Sequence, residues 1–175
     1  MNQPEYQRSV ARPAPDVVGV ELPGEVAALF DGRAAAPGEG GYDQAFSLIT
    51  VAASGHPHVL LLSRHQLAFS SQSELLVSVH GRQTRSNLKE RPQATLVGVI
   101  ADAAHYLKCT ILRDIEEAER SGYAMRVDEH ESDSAGVRLS PLSFEFSPEL
   151  AASERWDLDR EVLASLRTND LTGHA

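Results

Sequence analysis

The sequence predicts a mainly β fold, an antiparallel barrel or sandwich of six or seven strands with few helices. Three observations carry that prediction. Short apolar and β-branched runs recur along the middle of the chain, as in AFSLITVAA, HVLLLS, LLVSVH and ATLVGVI. Turn residues and short polar gaps separate them, more often than helix-length amphipathic segments do. The strict strand–helix alternation that marks a doubly wound parallel sheet is missing.

Size and composition fit this. At 175 residues the chain suits one domain, which at this size buries roughly 70% of the surface of its extended form. Apolar residues at 42% and charged residues at 23% give an ordinary globular composition and argue against disorder over most of the length. Cys109 is the single cysteine, so no internal disulfide holds the fold, and a reducing compartment, the cytoplasm, is the expected location. The N-terminal MNQPEYQRSVARPAPD has no apolar core of signal-peptide length, and runs such as VLLL at 59–62 are too short to span a bilayer, so no membrane partner is expected. A formal net charge of −9, without a basic stripe interleaved with aromatics, argues against nucleic acid.

In chain order, residues 1–22 read as an extended, proline-containing N-terminal arm. LPGEVAALFDG is a short amphipathic helix: Pro23 and Glu25 suit its start, Val26, Leu29 and Phe30 share a side, and Gly32 follows its end. GRAAAPGEGG, 32–41, breaks regular structure. AFSLITVAA, the turn SGHP and HVLLLS form a β-hairpin, and LAFSS, 67–71, a further short strand. In LLVSVH, 75–80, Leu76 and Ser78 alternate with Val77 and Val79, so one face is expected to be less apolar. SNLKER is a helix ended by Pro92. ATLVGVI, 94–100, and HYLKCTILRDIEE, 105–117, are strands. GYAMRVDEHESDSAG reads as a short strand with an acidic loop, and GVRLSPLSFEFS as a last β segment. WDLDREVLASLR spaces Trp156, Leu163 and Leu166 for a C-terminal helix. This organises the chain as the arm 1–22, a barrel domain 23–150 and a C-terminal helix in 151–175 that packs on the barrel or on a partner.

Between two strands, Arg82, Gln83, Thr84, Arg85, Ser86 and Asn87 crowd into one gap of an otherwise acidic chain. A helix start offers unpaired N–H groups and a positive dipole end. Arginine adds a fork that fits phosphate oxygens, and Thr84 or Ser86 a hydroxyl. The same residue types also serve capping, and spacing alone leaves both readings open. His80, before Gly81, is placed either to donate to a phosphate or ring edge or to face water. Lys108, on an apolar strand, either meets a bound ligand or is solvated. His56, His58 and His65 lack nearby cysteine or carboxylate ligands for a metal, DEHESD lacks the spacing of an EF-hand, and Cys109 reads as a buried, inert thiol. GxSxG, P-loop, GxGxxG and HExxH motifs are all missing from the sequence.

The hairpin AFSLITVAASGHPHVLLL, the strand ELLVSV, the turn HGRQTRSNLKERPQATLVGV with Asn-Leu and then Pro, and the strand HYLKCTILRD together resemble the pyridoxamine 5′-phosphate oxidase-like family of FMN-binding split barrels, over about residues 43–117. The resemblance implies a six-stranded antiparallel split barrel, a homodimer, and FMN at the interface. It places the family's phosphate-binding triplet on Arg82, Gln83 and Thr84, with Arg85 beside it, and puts Ser78 near the place where the strand faces the flavin, with Val79 and His80 following as further cofactor-binding candidates. Where the family commonly carries Arg-Lys, this chain has Gln83 and Thr84, and Arg82 and Arg85 restore charge from neighbouring positions. On the hairpin's second strand, His58, Leu60 and Leu62 alternate with Val59, Leu61 and Ser63, and one of the two sets edges the flavin. Lys108 is a further cofactor-side candidate. The implied function is an FMN-dependent oxidoreductase acting on a small molecule, with a non-catalytic flavin-binding or haem-binding module as the alternative. The ending SLRTNDLTGHA lacks the Arg-x-His and Arg-Leu-x-Pro patterns of true pyridoxamine phosphate oxidases.

Overall fold

The computed structural model describes residues 20–32, 43–100, 102–117, 119–134, 136–145 and 147–170. Most of the expected N-terminal arm and of the GRAAAPGEGG loop lies outside them. The elements are α1 (Gly24–Phe30), β1 (Ala45–Val51), β2 (Pro57–Ser63), a 3₁₀ turn (Arg64–Gln66), β3 (Leu67–Ser71), β4 (Glu74–Val79), α2 (Arg82–Glu90), β5 (Gln93–Ile100), β6 (Ala103–Glu116), β7 (Ser121–Ser134), α3 (Pro148–Ser153) and α4 (Trp156–Asp170). The strands form one antiparallel sheet in the order β2-β1-β5-β6-β7-β4-β3.

The expected mainly β, antiparallel architecture is present, with two corrections to the six-stranded barrel. The sheet has seven strands, and no ladder joins its edges β2 and β3 among the described residues. Those edges are consecutive in sequence, joined by the 3₁₀ turn alone, and side chains do what a ladder does elsewhere. Gln66, buried in the turn, accepts at Oε1 from the Ser63 backbone N–H at 2.9 Å and donates from Nε2 to the Ser78 carbonyl at 3.2 Å. Leu67 pairs with Val77, so the Gln66 amide extends the β3–β4 pairing beyond its last backbone rung.

The segment read as a short strand and acidic loop is instead the long strand β7, with DEHESD inside it. The run is tolerated because its carboxylates meet donors across the ladder. Lys108 reaches Glu129 at 3.1 Å and Glu131 at 2.8 Å, and Thr110 donates to Asp128. The GVRLSPLSFEFS segment gives one isolated bridge, Gln44 to Ser143, and no named strand. Pro141 withholds an N–H there, and two backbone bonds, Ala45 N–H to the Leu142 carbonyl and Phe144 N–H to the Asp43 carbonyl, make a short strap. Helix α2 starts at Arg82, before the SNLKER segment, and takes in the polar gap itself.

Phe30, Phe46, Leu48, Leu62, Leu75, Val77, Val79, Leu88, Leu96, Leu107, Tyr123 and Met125 belong to the main core. A smaller cluster of Ala68, Leu76, Ala124, Leu163 and Leu166 seats α4 against the outside of β4 and β7. The polar–apolar alternation along β4 therefore separates two covered faces and not a core from solvent, and all of Leu75–Val79 is buried. Helix α4 also stacks Trp156 on His65, with ring centroids 4.1 Å apart.

Two tests of this packing follow. Gln66→Ala leaves the Ser63 N–H and the Ser78 carbonyl without side-chain partners in a buried corner and lowers unfolding free energy by about 2–4 kcal/mol in denaturant titration. Burial, with the charges of Arg160 and Arg64, lowers the His65 pKa from 6.5 to about 4. The unfolded chain therefore takes up a proton that the native state refuses, and stability falls as pH drops from 6.5 towards 4. Discounted for partial solvent exposure, the loss is about 2 kcal/mol. His65→Phe keeps the stack and removes that share of the pH slope.

Candidate functional site

Strand β4 ends at Val79, and His80 and Gly81 lead directly into α2. The helix is held from behind. Leu88 enters the core, and the Asn87 amide donates to Thr50 Oγ1 of β1 at 2.9 Å while accepting from Gln83 Nε2 at 2.8 Å. Gly81 occupies the N-cap position and supplies no side-chain cap. The first-turn N–H groups thus lack the partner that a Ser or Asp cap brings.

The other flank of α2 carries Arg82, Arg85, Ser86 and Lys89, which with Glu116 and Glu117 line a trough of about 310 Å³. Lys89 pairs with Glu116 at 2.5 Å. Among the described residues no ion pair is formed by Arg82 or Arg85, so the trough keeps two guanidinium charges facing the single unpaired carboxylate of Glu117. Arg85 Nε and the fully buried Thr84 Oγ1 have no hydrogen-bond partner.

The remaining sequence candidates divide. On β2, His58 and Leu60 are half-buried and Leu62 is in the core, while Val59 and Leu61 face out, 53% and 50% exposed. Leu60 lies against Gly81: a Cβ built there would be 3.5 Å from its Cδ1. Leu60, His80, Arg82, Thr84 and Arg85 are thereby gathered around α2, and Gln83 is turned to Asn87. Val79 is a core residue. Ser78 lies beneath α4, its hydroxyl donating to Asp159 Oδ1 at 2.7 Å. Lys108 is on the outer face of the sheet, eight residues before Glu116 along β6 and so roughly 26 Å from it by strand rise. There it lines a separate hollow of about 290 Å³ with Ile49, Val51, Thr110 and Asp128, and its carboxylate partners Glu131 and Glu129 raise its pKa.

The sequence reading missed a buried polar knot beside the site. Arg120 Nε pairs with Asp159 at 3.2 Å, and its guanidinium donates to the carbonyls of Glu154 and Arg155, where Arg155 turns the chain at φ 53° between α3 and α4. Burial pushes the Asp159 carboxyl pKa up, against the opposing pull of Ser78, Arg120 and His80. Gln66 extends this chain of contacts to His80 Nδ1 at 3.4 Å. A buried Asp four residues before Leu163 in an amphipathic helix was the available signal, since burial of a carboxylate requires a partner.

No family model matches the chain, and no curated protein matches it in sequence. Solved structures match it in shape. A protein from Lactobacillus delbrueckii, provisionally described as a pyridoxamine 5′-phosphate oxidase, superposes with a TM-score of 0.50 at 16% identity, covering 63% of this chain and 93% of that one. A conserved hypothetical protein of Mycobacterium tuberculosis aligns over 78% of this chain and 99% of that one, with a TM-score of 0.47 and 13% identity. The flavin reductase of the styrene monooxygenase from Pseudomonas putida S12 aligns over 58% and 93%, with a TM-score of 0.43 and 11% identity. At these identities the likeness is one of fold. In fold, this chain resembles the pyridoxamine 5′-phosphate oxidase-like FMN-binding split barrels, the family that its strand, turn, helix and proline segment points to.

Proposed function

We propose that the protein binds FMN and works as a flavin-dependent oxidoreductase on a small-molecule electron donor or acceptor. The observation that carries this reading is helix α2, which places two guanidinium groups without carboxylate partners at and just past an uncapped helix start. A phosphate monoester is the anion that such a set of donors suits best, because its oxygens accept from a planar fork and from backbone N–H groups together. The unpartnered Arg85 Nε supports the fit, since a buried donor left open is what a missing anion explains. Leu60, half-buried on β2 next to Gly81, and His58, two residues before it on the same strand face, offer a flanking wall for a planar ring. When bound, the flavin supplies the redox chemistry, and the protein holds the phosphate and shapes the slot.

A homodimer belongs to the same reading. The outer face of the edge hairpin exposes Val51, Val59 and Leu61, a patch on an unpaired strand edge that a second copy would cover. A second reading, a flavin-holding module without turnover, is favoured by Gln83, whose amide is engaged with Asn87 and adds no donor to the seat.

Titration of the purified chain with FMN tests the proposal. Bound flavin with a perturbed visible spectrum is expected. Replacing both Arg82 and Arg85 by Ala lowers affinity by about 100-fold, the loss of two charge-assisted contacts. Riboflavin, without the phosphate, binds the wild type no better than FMN binds that variant. Absence of any flavin uptake at millimolar FMN refutes the reading, a monomeric mass by light scattering removes the dimer, and bound FMN that no reductant or substrate turns over selects the module.

A further inference from the structure

Beyond Arg126, strand β7 pairs with β6 alone among the strands, and its side chains alternate between two faces. Glu129, Glu131 and Asp133 take the outer face, where Lys108 answers the first two. His130 and Ser132 take the inner one. In the ladder His130 stands opposite Leu107, a core residue, and His105 stands opposite Ser132. On its other side His105 is paired with Gly98 of β5, where a Cβ would run into the rings of Phe30 and Phe46. The inner face at this point is therefore the one that α1 covers.

His105 Nδ1 and His130 Nε2 are 3.1 Å apart, with the ring centroids 5.4 Å apart and the ring planes 14° from parallel. The centroid spacing exceeds the nitrogen spacing by about twice the distance from a ring centre to its nitrogen. The rings consequently lie end to end in nearly one plane, nitrogen facing nitrogen. Such a pair holds one proton between its nitrogens, one ring donating and the other accepting. A metal ion on the same line would need about 2.0–2.1 Å to each nitrogen, more than the gap allows. Among the described residues no group of three or more His, Cys, Asp or Glu side chains is placed to hold one. A proton taken up on the donor ring's outer nitrogen keeps the bond, because an imidazolium still donates to a neutral imidazole. A second proton has only the accepting nitrogen left to go to, which sets N–H against N–H and two positive charges on adjoining rings.

We infer that His105 and His130 form an acid-sensitive latch between the β6–β7 ribbon and α1, closed while the pair carries no more than one added proton and released by the second. The groups that face the pair leave it little else to respond to. β5 presents Leu96 and Gly98 on this side, β6 Leu107 and β7 Ser132, all uncharged, and α1 brings the carboxylate of Glu25. Burial first, then the charge of His130, lowers the His105 pKa from 6.5, and Glu25 pulls the other way. His105 is only 9% exposed, so once charged its ring has to move towards water, and Glu25 in the first turn of α1 draws it. The unfolded chain takes up this proton at 6.5 and the closed protein only at lower pH. The latch is therefore intact above 6.5 and weakens as pH falls from there towards the lowered value.

Amide hydrogen exchange of the full chain, corrected for intrinsic rates, tests this between about pH 8 and about pH 5, the range a histidine senses. Arg64, the neighbour of His65, donates to the Ala28 carbonyl of α1. Wild type and variants are therefore measured in parallel with His65→Phe, which removes the other histidine that titrates in this direction. Protection of α1 is expected to fall about 10-fold across the range while that of β4 holds. His105→Gln and His130→Gln, neither of which can take a charge, each abolish most of that fall, and Glu25→Gln moves it to lower pH. Should His105→Gln fail to fold, His130→Gln, at the less buried of the two rings, carries the test. NMR titration of the histidine ring C–H signals gives a second readout, in which the two rings shift together in two linked steps. Rings that titrate independently overturn the latch, and so does an acid-dependent loss of α1 protection that persists in both Gln variants. Binding of one Zn²⁺ per chain that both variants abolish overturns it as well and makes the pair a metal site. None of these readouts involves flavin, so the FMN reading stands or falls apart from them.

Discussion

The two edges of the sheet fail to pair, and the position of the site follows from that failure. β2 and β3 are neighbours in sequence but opposite ends of the sheet, and three residues of 3₁₀ turn carry the chain between them. An unpaired edge inside a protein needs partners for its backbone groups. Gln66 supplies them at the corner, to Ser63 on one side and Ser78 on the other. Its backbone-like amide can do this because it donates and accepts at once, and Glu or Leu in its place can do only one or neither.

The same corner governs what surrounds α2. The β4 strand that Gln66 ties down runs straight into the helix, so the start of α2 is fixed by backbone ladders to β3 and β7 rather than by a cap. Asn87 and Leu88 then fasten its inner side to β1 and the core. With that side committed, the spacing of Arg82, Arg85, Ser86 and Lys89 at three and four residues puts them along one outer stripe. The arginines are thus presented by a rigid element. The Ser78, Asp159 and Arg120 knot braces β4 from its other face, so strand and helix are held on both sides.

Much of this was legible. β-Branched runs, the SGHP turn and Pro92 marked real elements, and Leu163 and Leu166 do face the sheet. The length of β7 was not, because DEHESD reads as solvated when its partners are unknown, and only the ladder shows Lys108 and Thr110 standing opposite. The polar gap was placed ahead of the helix because its sequence carries no apolar stripe. Its helical state is set by Leu88, which enters the core, and by Asn87, whose amide reaches Thr50 on a strand 37 positions away. For the site, Arg82 and Arg85 were named from their chemistry. Lys108 shows the converse: a cation on an apolar strand attracted attention, and its charge is answered by Glu129 and Glu131.

Whether an acidic chain can hold an anion is a matter of where its charges lie. The net charge of −9 is a sum over the molecule, whereas a phosphate in the trough senses chiefly what stands within a screening length of about 8 Å. Glu129, Glu131 and Asp133 occupy the end of the β6–β7 ribbon that pairs with residues 103–108, and the trough adjoins the end that pairs with residues 114–116. At roughly 3.3 Å per residue these regions are well over two screening lengths apart along the strands. Within the trough, Lys89 has already neutralised Glu116, and two guanidiniums outnumber Glu117. The acidic run therefore sets how the whole protein repels polyanions at a distance, while the charges on the flank of α2 set the local field that a single small anion would meet there.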